Sequence, residues 1–189
     1  RAQSLVLSRL LGPAVIGQYA LITAALLLAT QISALGFPIA YLYYSQHEPE
    51  QARIYQTNCV WAGLGLGLVG GTVIALLVAW RGSYFGRVPW YACVALGAYV
   101  VFMIQTGVAR NTLLRQVKAR QLSAMTISST VGSFVLVALF ALVGWLTVGT
   151  ALICFAVLQM IRMAVGWACI RTEVEFSIRP SRPIISKLG

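Results

Sequence analysis

The sequence predicts an all-α fold: a polytopic membrane bundle of about six transmembrane helices, the first of them truncated. Three observations carry this. Residues 10–46 form a 37-residue window without a charged side chain, well beyond the ~20 apolar residues that one crossing needs. Charged residues make up 10% of the 189-residue chain and hydrophobic residues 59%, against roughly 25% charged in a soluble domain. The apolar runs are continuous and about 20 residues long, whereas outer-membrane strands alternate apolar and polar positions over short segments.

The spans follow in order from the charge-free windows. The chain opens inside a first span, 1–11, of which only the second half is present. A turn at 12–17, with Gly12, Pro13 and Gly17, leads to the second span, 19–43. The third is 58–80, between the polar stretch 45–57 and Arg81. The fourth is 90–109, ending where the basic stretch 110–121 begins. The window 121–161 holds 41 residues, too many for one crossing. Gly144 and Gly149 divide it into a fifth span at 122–145 and a sixth at 148–170. Residues 1–170 are thus expected to form one transmembrane bundle and 171–189 a basic linker. The opening on Arg1 and the close at Gly189, where a new segment begins, mark the chain as an expected internal piece of a longer protein.

Alternating spans permit an orientation test. One side holds the loops 45–57 and 110–121 and the tail 171–189. These carry Arg53, Arg110, Arg115, Lys118, Arg120, Arg171, Arg179, Arg182 and Lys187. The other side holds Arg81 and Arg87. Nine bases against two put the first side in the cytoplasm, because basic loops stay inside. A net charge of +10 in a soluble domain would point to nucleic acid. Here the bases lie mostly in short loops and report topology, so no nucleic-acid partner is expected.

Several side chains inside the spans invite a chemical reading. The third span contains Gly65-Leu66-Gly67-Leu68-Val69-Gly70, which matches a dinucleotide fingerprint by letter. That motif needs a strand before it and a helix after it, and this one lies within an apolar helix. Gly63, Gly67 and Gly71 instead share one helix face, where small residues let helices pack closely in lipid. In the fifth span Thr126, Ser129, Thr130 and Ser133 share a face. They either serve helix packing or line a hydrated cavity.

Arg162 lies about eight residues before the inner end of the sixth span, or roughly 12 Å of helix rise. Gln159 shares its face. A basic side chain at such depth either marks a binding site or snorkels to the headgroups. Arg1 and Arg9 in the partial first span raise the same question, whereas Gln31 in the second span and Gln105 in the fourth make either an interhelical hydrogen bond or a ligand contact.

The four acids are Glu48, Glu50, Glu173 and Glu175, all outside the spans. A proton- or sodium-coupled site usually uses an intramembrane acid. No catalytic set is evident: paired acids, a Ser/His/Asp arrangement and an activated cysteine are all missing. His47 sits in a polar loop, and Cys59, Cys93, Cys154 and Cys169 lack metal spacing. Neither enzyme activity, metal nor cofactor is expected.

The run Ser8-Arg9-Leu10-Leu11-Gly12-Pro13, then Gly17-Gln18-Tyr19-Ala20, then Leu35-Gly36-Phe37-Pro38 resembles the opening of polysaccharide biosynthesis proteins. These are flippases for lipid-linked oligosaccharides of the O-antigen type, within the multidrug/oligosaccharidyl-lipid/polysaccharide exporter superfamily. The tail Ile178-Arg179-Pro180-Ser181-Arg182-Pro183 is similar to the family's inner linker before a seventh span. The resemblance implies two pseudo-symmetric bundles around a central cavity, with this chain as most of the N-terminal one and a C-terminal bundle as its partner. It implies a polyprenyl-diphosphate-linked oligosaccharide as cargo, moved from the cytoplasmic to the outer leaflet of the cell inner membrane by alternating access. A diphosphate suits arginine's planar fork of donors. Arg162, Gln159, Arg9 and Gln31 are the expected substrate contacts, Thr126, Ser129, Thr130 and Ser133 the expected cavity lining, and Gly63, Gly67 and Gly71 the expected packing face. The competing expectations are a cation-coupled multidrug exporter of the same superfamily and a non-transport membrane protein of glycan assembly.

Overall fold

The computed structural model describes residues 12–80, 85, 88–143, 145 and 147–171. The expected first span and the tail lie outside these residues. The described part is an all-α membrane bundle: α1 (Gly12–Ala34), α2 (Phe37–His47), a 3-10 turn (Pro49–Gln51), α3 (Ala52–Trp80), α4 (Trp90–Arg115), α5 (Ala119–Leu142) and α6 (Val148–Arg171). Five segments are long and apolar enough to cross a membrane: Ile16–Ala34, Pro49–Trp80, Trp90–Arg115, Ala119–Leu142 and Val148–Ile170.

The second span differs most from expectation. The turn at 12–17 is helical, and α1 begins at Gly12; Pro13 falls in the first turn, where its missing N–H is no loss. The expected run 19–43 is not one helix but two. Leu35 and Gly36 both adopt left-handed backbone, with φ of 43° and 75°. Pro38 explains the break, because its ring clashes with the carbonyl four residues back, that of Ala34, and it has no N–H to donate. Glycine at 36 takes the left-handed turn at little cost.

The basic loop 110–121 also departs from expectation. α4 continues through Arg115 and turns only at Gln116–Lys118, where Val117 has φ 56°. Its 26 residues span roughly 39 Å, longer than a ~30 Å hydrocarbon core. Arg110 is therefore a helical residue. At the other side, the turn between α5 and α6 is set by Thr147 and Thr150. The Thr150 N–H donates to Thr147 Oγ1 at 3.2 Å, and the Thr147 N–H donates to Thr150 Oγ1 at 2.8 Å. This reciprocal pattern is a capping box, and it starts α6 at Val148.

α4 is the central helix. Leu96, Tyr99, Val100 and Ile104 on it bury against Ile22 and Leu26 of α1, Ile74 and Val78 of α3, and Leu152 of α6. The α3–α4 seam brings two backbones into close approach. A Cβ at Gly71 would stand 2.4 Å from the Gly97 carbonyl oxygen, and one at Gly67 would stand 3.0 Å from Val101 Cα. One at Gly63 would lie 2.9 Å from Ile104 Cγ2. Polar side chains stitch the same neighbourhood. Gln105 donates to the Val60 carbonyl at 2.9 Å, Thr112 donates to the Tyr41 hydroxyl at 3.1 Å, and the Asn111 amide donates to the Pro38 carbonyl.

α4 and α6 run parallel and in register. Tyr99 stacks on Phe155 with centroids 4.8 Å apart, and Met103 meets Gln159. Both pairs are 56 positions apart, as alternating spans with α5 between them require. α5 packs mainly on α6 and leaves Ile127, Val131, Phe134, Val135 and Leu139 exposed, an outward apolar face suited to hydrocarbon.

Candidate functional site

α6 leaves its capping box with Phe155, Leu158, Gln159 and Arg162 at positions i, i+3, i+4 and i+7, hence on one face. α5 presents Ser129, Thr130 and Ser133 at matching spacing. These seven residues line one cleft of about 280 Å³. Two stripes separated by some thirty positions thus face each other across a single space. Thr126 belongs to the same stripe but lies outside the cleft.

Arg162 is half-buried. Its Nε atom is fully buried and has no hydrogen-bond partner among the described residues. Gln159 is buried and its amide donates to Met103 Sδ at 3.1 Å. The Tyr99 hydroxyl donates to the same sulfur at 3.8 Å. The hydroxyls of α5 bond to their own helix: Ser129 and Thr130 to the Thr126 carbonyl at 2.8 and 3.0 Å, Ser133 to the Thr130 carbonyl at 2.9 Å. Thr126 does likewise to Leu122 at 3.1 Å.

A second cleft, of about 210 Å³, opens where α1 breaks into α2. Gln31, Gly36, Pro38, Met103, Arg110 and Asn111 are among its lining. Met103 connects the two spaces: it lines the second and accepts the bond from Gln159 of the first. Gln31 is exposed in this second cleft and is not grouped with Arg162. Arg9 lies outside the described residues. Gly63, Gly67 and Gly71 lie on the α3–α4 seam, apart from both clefts.

Arg110 is the residue that the sequence reading assigns to a loop and the structure brings to the site. It lines the second cleft and is near enough to Arg162 for the two charges to act on each other. The available signal is the run 108–119, which has no Gly or Pro to end the helix. Among the described residues no acid lines either cleft. Among the described acids, Glu48 accepts a hydrogen bond from Tyr55 at the far side of the α2–α3 turn. Among the described residues no group of three or more His, Cys, Asp or Glu is placed to hold a metal.

Arg162 is half-buried and Arg110 is exposed in the neighbouring cleft; with no acid from the described residues in either lining, the two guanidinium groups set up a positive field, screened least at Arg162. Such a site favours an anion and disfavours a cation. The walls then offer what a neutral, hydroxylated group needs: hydroxyl oxygens on α5 and an aromatic ring, Phe155, on α6.

A family model described as polysaccharide biosynthesis protein matches residues 3–187. No curated protein and no solved structure matches the chain.

Proposed function

The chain belongs to the polysaccharide biosynthesis protein family, whose role lies in cell-surface polysaccharide assembly, and from that premise we propose that it moves a lipid-linked oligosaccharide across the inner membrane. The cargo is a polyprenyl-diphosphate glycan, carried from the cytoplasmic to the outer leaflet. The observation that carries this reading is the cleft in which Arg162 and Gln159 of α6 face three hydroxyls of α5 with no carboxylate in the lining. A diphosphate attached to a sugar is an anion joined to a polyol, and this wall has groups for both. Arginine meets phosphate through a planar fork of donors.

In this reading Arg162 and Arg110 hold the diphosphate, and Gln159 orients the α6 face through its bond to Met103. The polyprenyl chain stays in lipid, where its transfer needs no polar site. The bundle described here rocks against a second one, exposing the cleft to each side in turn. The basic ends at 45–57, 110–121 and 171–189 face the cytoplasm. The described residues put arginines and no acid in the two clefts, whereas a cation-coupled exporter uses an acid to bind its coupling ion.

The test is translocation in liposomes by the full-length protein, with a labelled polyprenyl-diphosphate oligosaccharide and a lipophilic cationic dye as cargoes. Movement of the glycolipid alone is expected. Movement of the dye alone would overturn the reading in favour of a drug exporter.

A further inference from the structure

We propose that the α5 wall of the larger cleft is a sugar-reading subsite, in which Ser129, Thr130 and Ser133 accept hydrogen bonds from the glycosyl group next to the cargo's diphosphate. This inference rests on the flippase reading and deepens it, since it divides the cleft between the two chemical halves of the cargo.

Each wall of the cleft has a fixed inventory of protons. A hydroxyl has one hydrogen to donate and two lone pairs to accept with. A backbone carbonyl can only accept, so each α5 hydroxyl in the cleft spends its one hydrogen on its own helix: Ser129 and Thr130 on Thr126, Ser133 on Thr130. What these side chains can still offer a ligand is acceptors. The opposite wall has the reverse character, because a guanidinium has five donors and no acceptor. Arg162 stands there with its Nε buried and unpartnered among the described residues.

The cleft is therefore polarised between these groups: donors from Arg162 on α6, acceptors from the three hydroxyls on α5. A ligand that satisfies both walls must present acceptors, or negative charge, to α6 and donors to α5. A glycosyl diphosphate does this in one orientation only, with phosphate oxygens toward Arg162 and sugar hydroxyl or amide N–H groups toward α5. The cleft's ~280 Å³ lies just under the roughly 300–1,000 Å³ typical of drug-sized ligands, so it takes one ring rather than a chain. Phe155, backed by Tyr99 in a stack at 4.8 Å, closes it with an apolar surface for the C–H face of that ring. The wall thus selects for donors on the sugar nearest the lipid and is indifferent to the rest of the glycan.

Thr126 supplies an internal control. It lies on the same stripe and makes the same kind of bond to its own helix, but it does not line the cleft.

The experiment compares binding of two lipids to the full-length protein in nanodiscs: a polyprenyl diphosphate and the same lipid carrying one hexosyl group. The variants are the triple Ser129→Ala/Thr130→Val/Ser133→Ala, which keeps shape and removes hydroxyls, and Thr126→Val. The triple variant is expected to bind the hexosyl lipid about 10-fold or more weakly, as the loss of two or three neutral hydrogen bonds implies, and the sugar-free lipid unchanged. Thr126→Val is expected to change neither. Equal weakening for both lipids, or unchanged hexosyl-lipid binding by the triple variant, overturns the subsite. Failure of the unaltered protein to bind either lipid overturns the flippase reading itself, and the subsite with it.

Discussion

Gln159 of α6 donates an amide hydrogen bond to the thioether sulfur of Met103 on α4 at 3.1 Å. One turn earlier on each helix, Tyr99 and Phe155 stack at an interplanar angle of 11°. The two contacts fix the register of a parallel helix pair, and they fix it beside Arg162, three positions after Gln159. The bond therefore holds the face on which the central cation is displayed.

Replacing Gln159 by Glu tests what that face is for. Gln159→Leu, which loses the bond to Met103 without adding charge, is the reference, and the glutamate change is nearly isosteric. It places a carboxylate one turn from Arg162, within reach of an i,i+3 ion pair. The cleft then loses its net charge, and glycolipid transport in liposomes is expected to fall at least about 10-fold, the equivalent of roughly 1.4 kcal/mol. Transport at the rate of the leucine variant would show that the charge of this cleft does not matter.

The α3–α4 seam predicts a contrast between two glycines six residues apart on one helix. A Cβ at Gly71 would sit 2.4 Å from the Gly97 carbonyl oxygen, whereas one at Gly65 meets nothing within 4 Å. Gly71→Ala forces two backbones apart and is expected to cost about 1–3 kcal/mol, read as a lowered unfolding temperature in detergent. Gly65→Ala is expected to be neutral or to stabilise by about 0.5–1 kcal/mol, because alanine loses less backbone entropy in a helix. Equal effects would mean that the seam is not packed as described.

Orientation predicts a labelling pattern. Ala119 at the start of α5 and Trp145 before α6 are exposed at opposite ends of the same helical hairpin. With a membrane-impermeant thiol reagent on intact cells, Trp145→Cys is expected to react and Ala119→Cys to react only after the membrane is opened. The reverse pattern would invert the cytoplasmic assignment of the basic ends.

The spans stand out in the sequence because charge is expensive in hydrocarbon: the gaps between bases mark the helices with little need of tertiary information. Two features escape that signal. The break at Leu35–Gly36 lies in an uncharged run, so hydropathy passes over it, although Pro38 carries the steric reason. Arg110 is a base, and a charge-based boundary ends the span there; the backbone, which contains no Gly or Pro from 108 to 119, continues the helix to Arg115. The cleft is partly visible for a similar reason. Helical spacing shows that Ser129, Thr130 and Ser133 share a face, and that Gln159 and Arg162 share another. That these faces meet, that Gln31 belongs to a different space, and that Arg110 joins Arg162 depend on how α1, α4, α5 and α6 pack, which no single helix encodes.

Arg162 is the cation on which cargo binding is proposed to turn. The decisive measurement is the initial rate of polyprenyl-diphosphate oligosaccharide translocation by the full-length protein in liposomes, unaltered and with Arg162→Ala or Arg162→Lys, at matched insertion. Alanine is expected to lower the rate about 100-fold or more, as losing charge-assisted hydrogen bonds implies, and lysine, which keeps the charge without the planar fork, to retain part of it. An alanine variant that moves the glycolipid at the unaltered rate would contradict the cargo-binding role of Arg162.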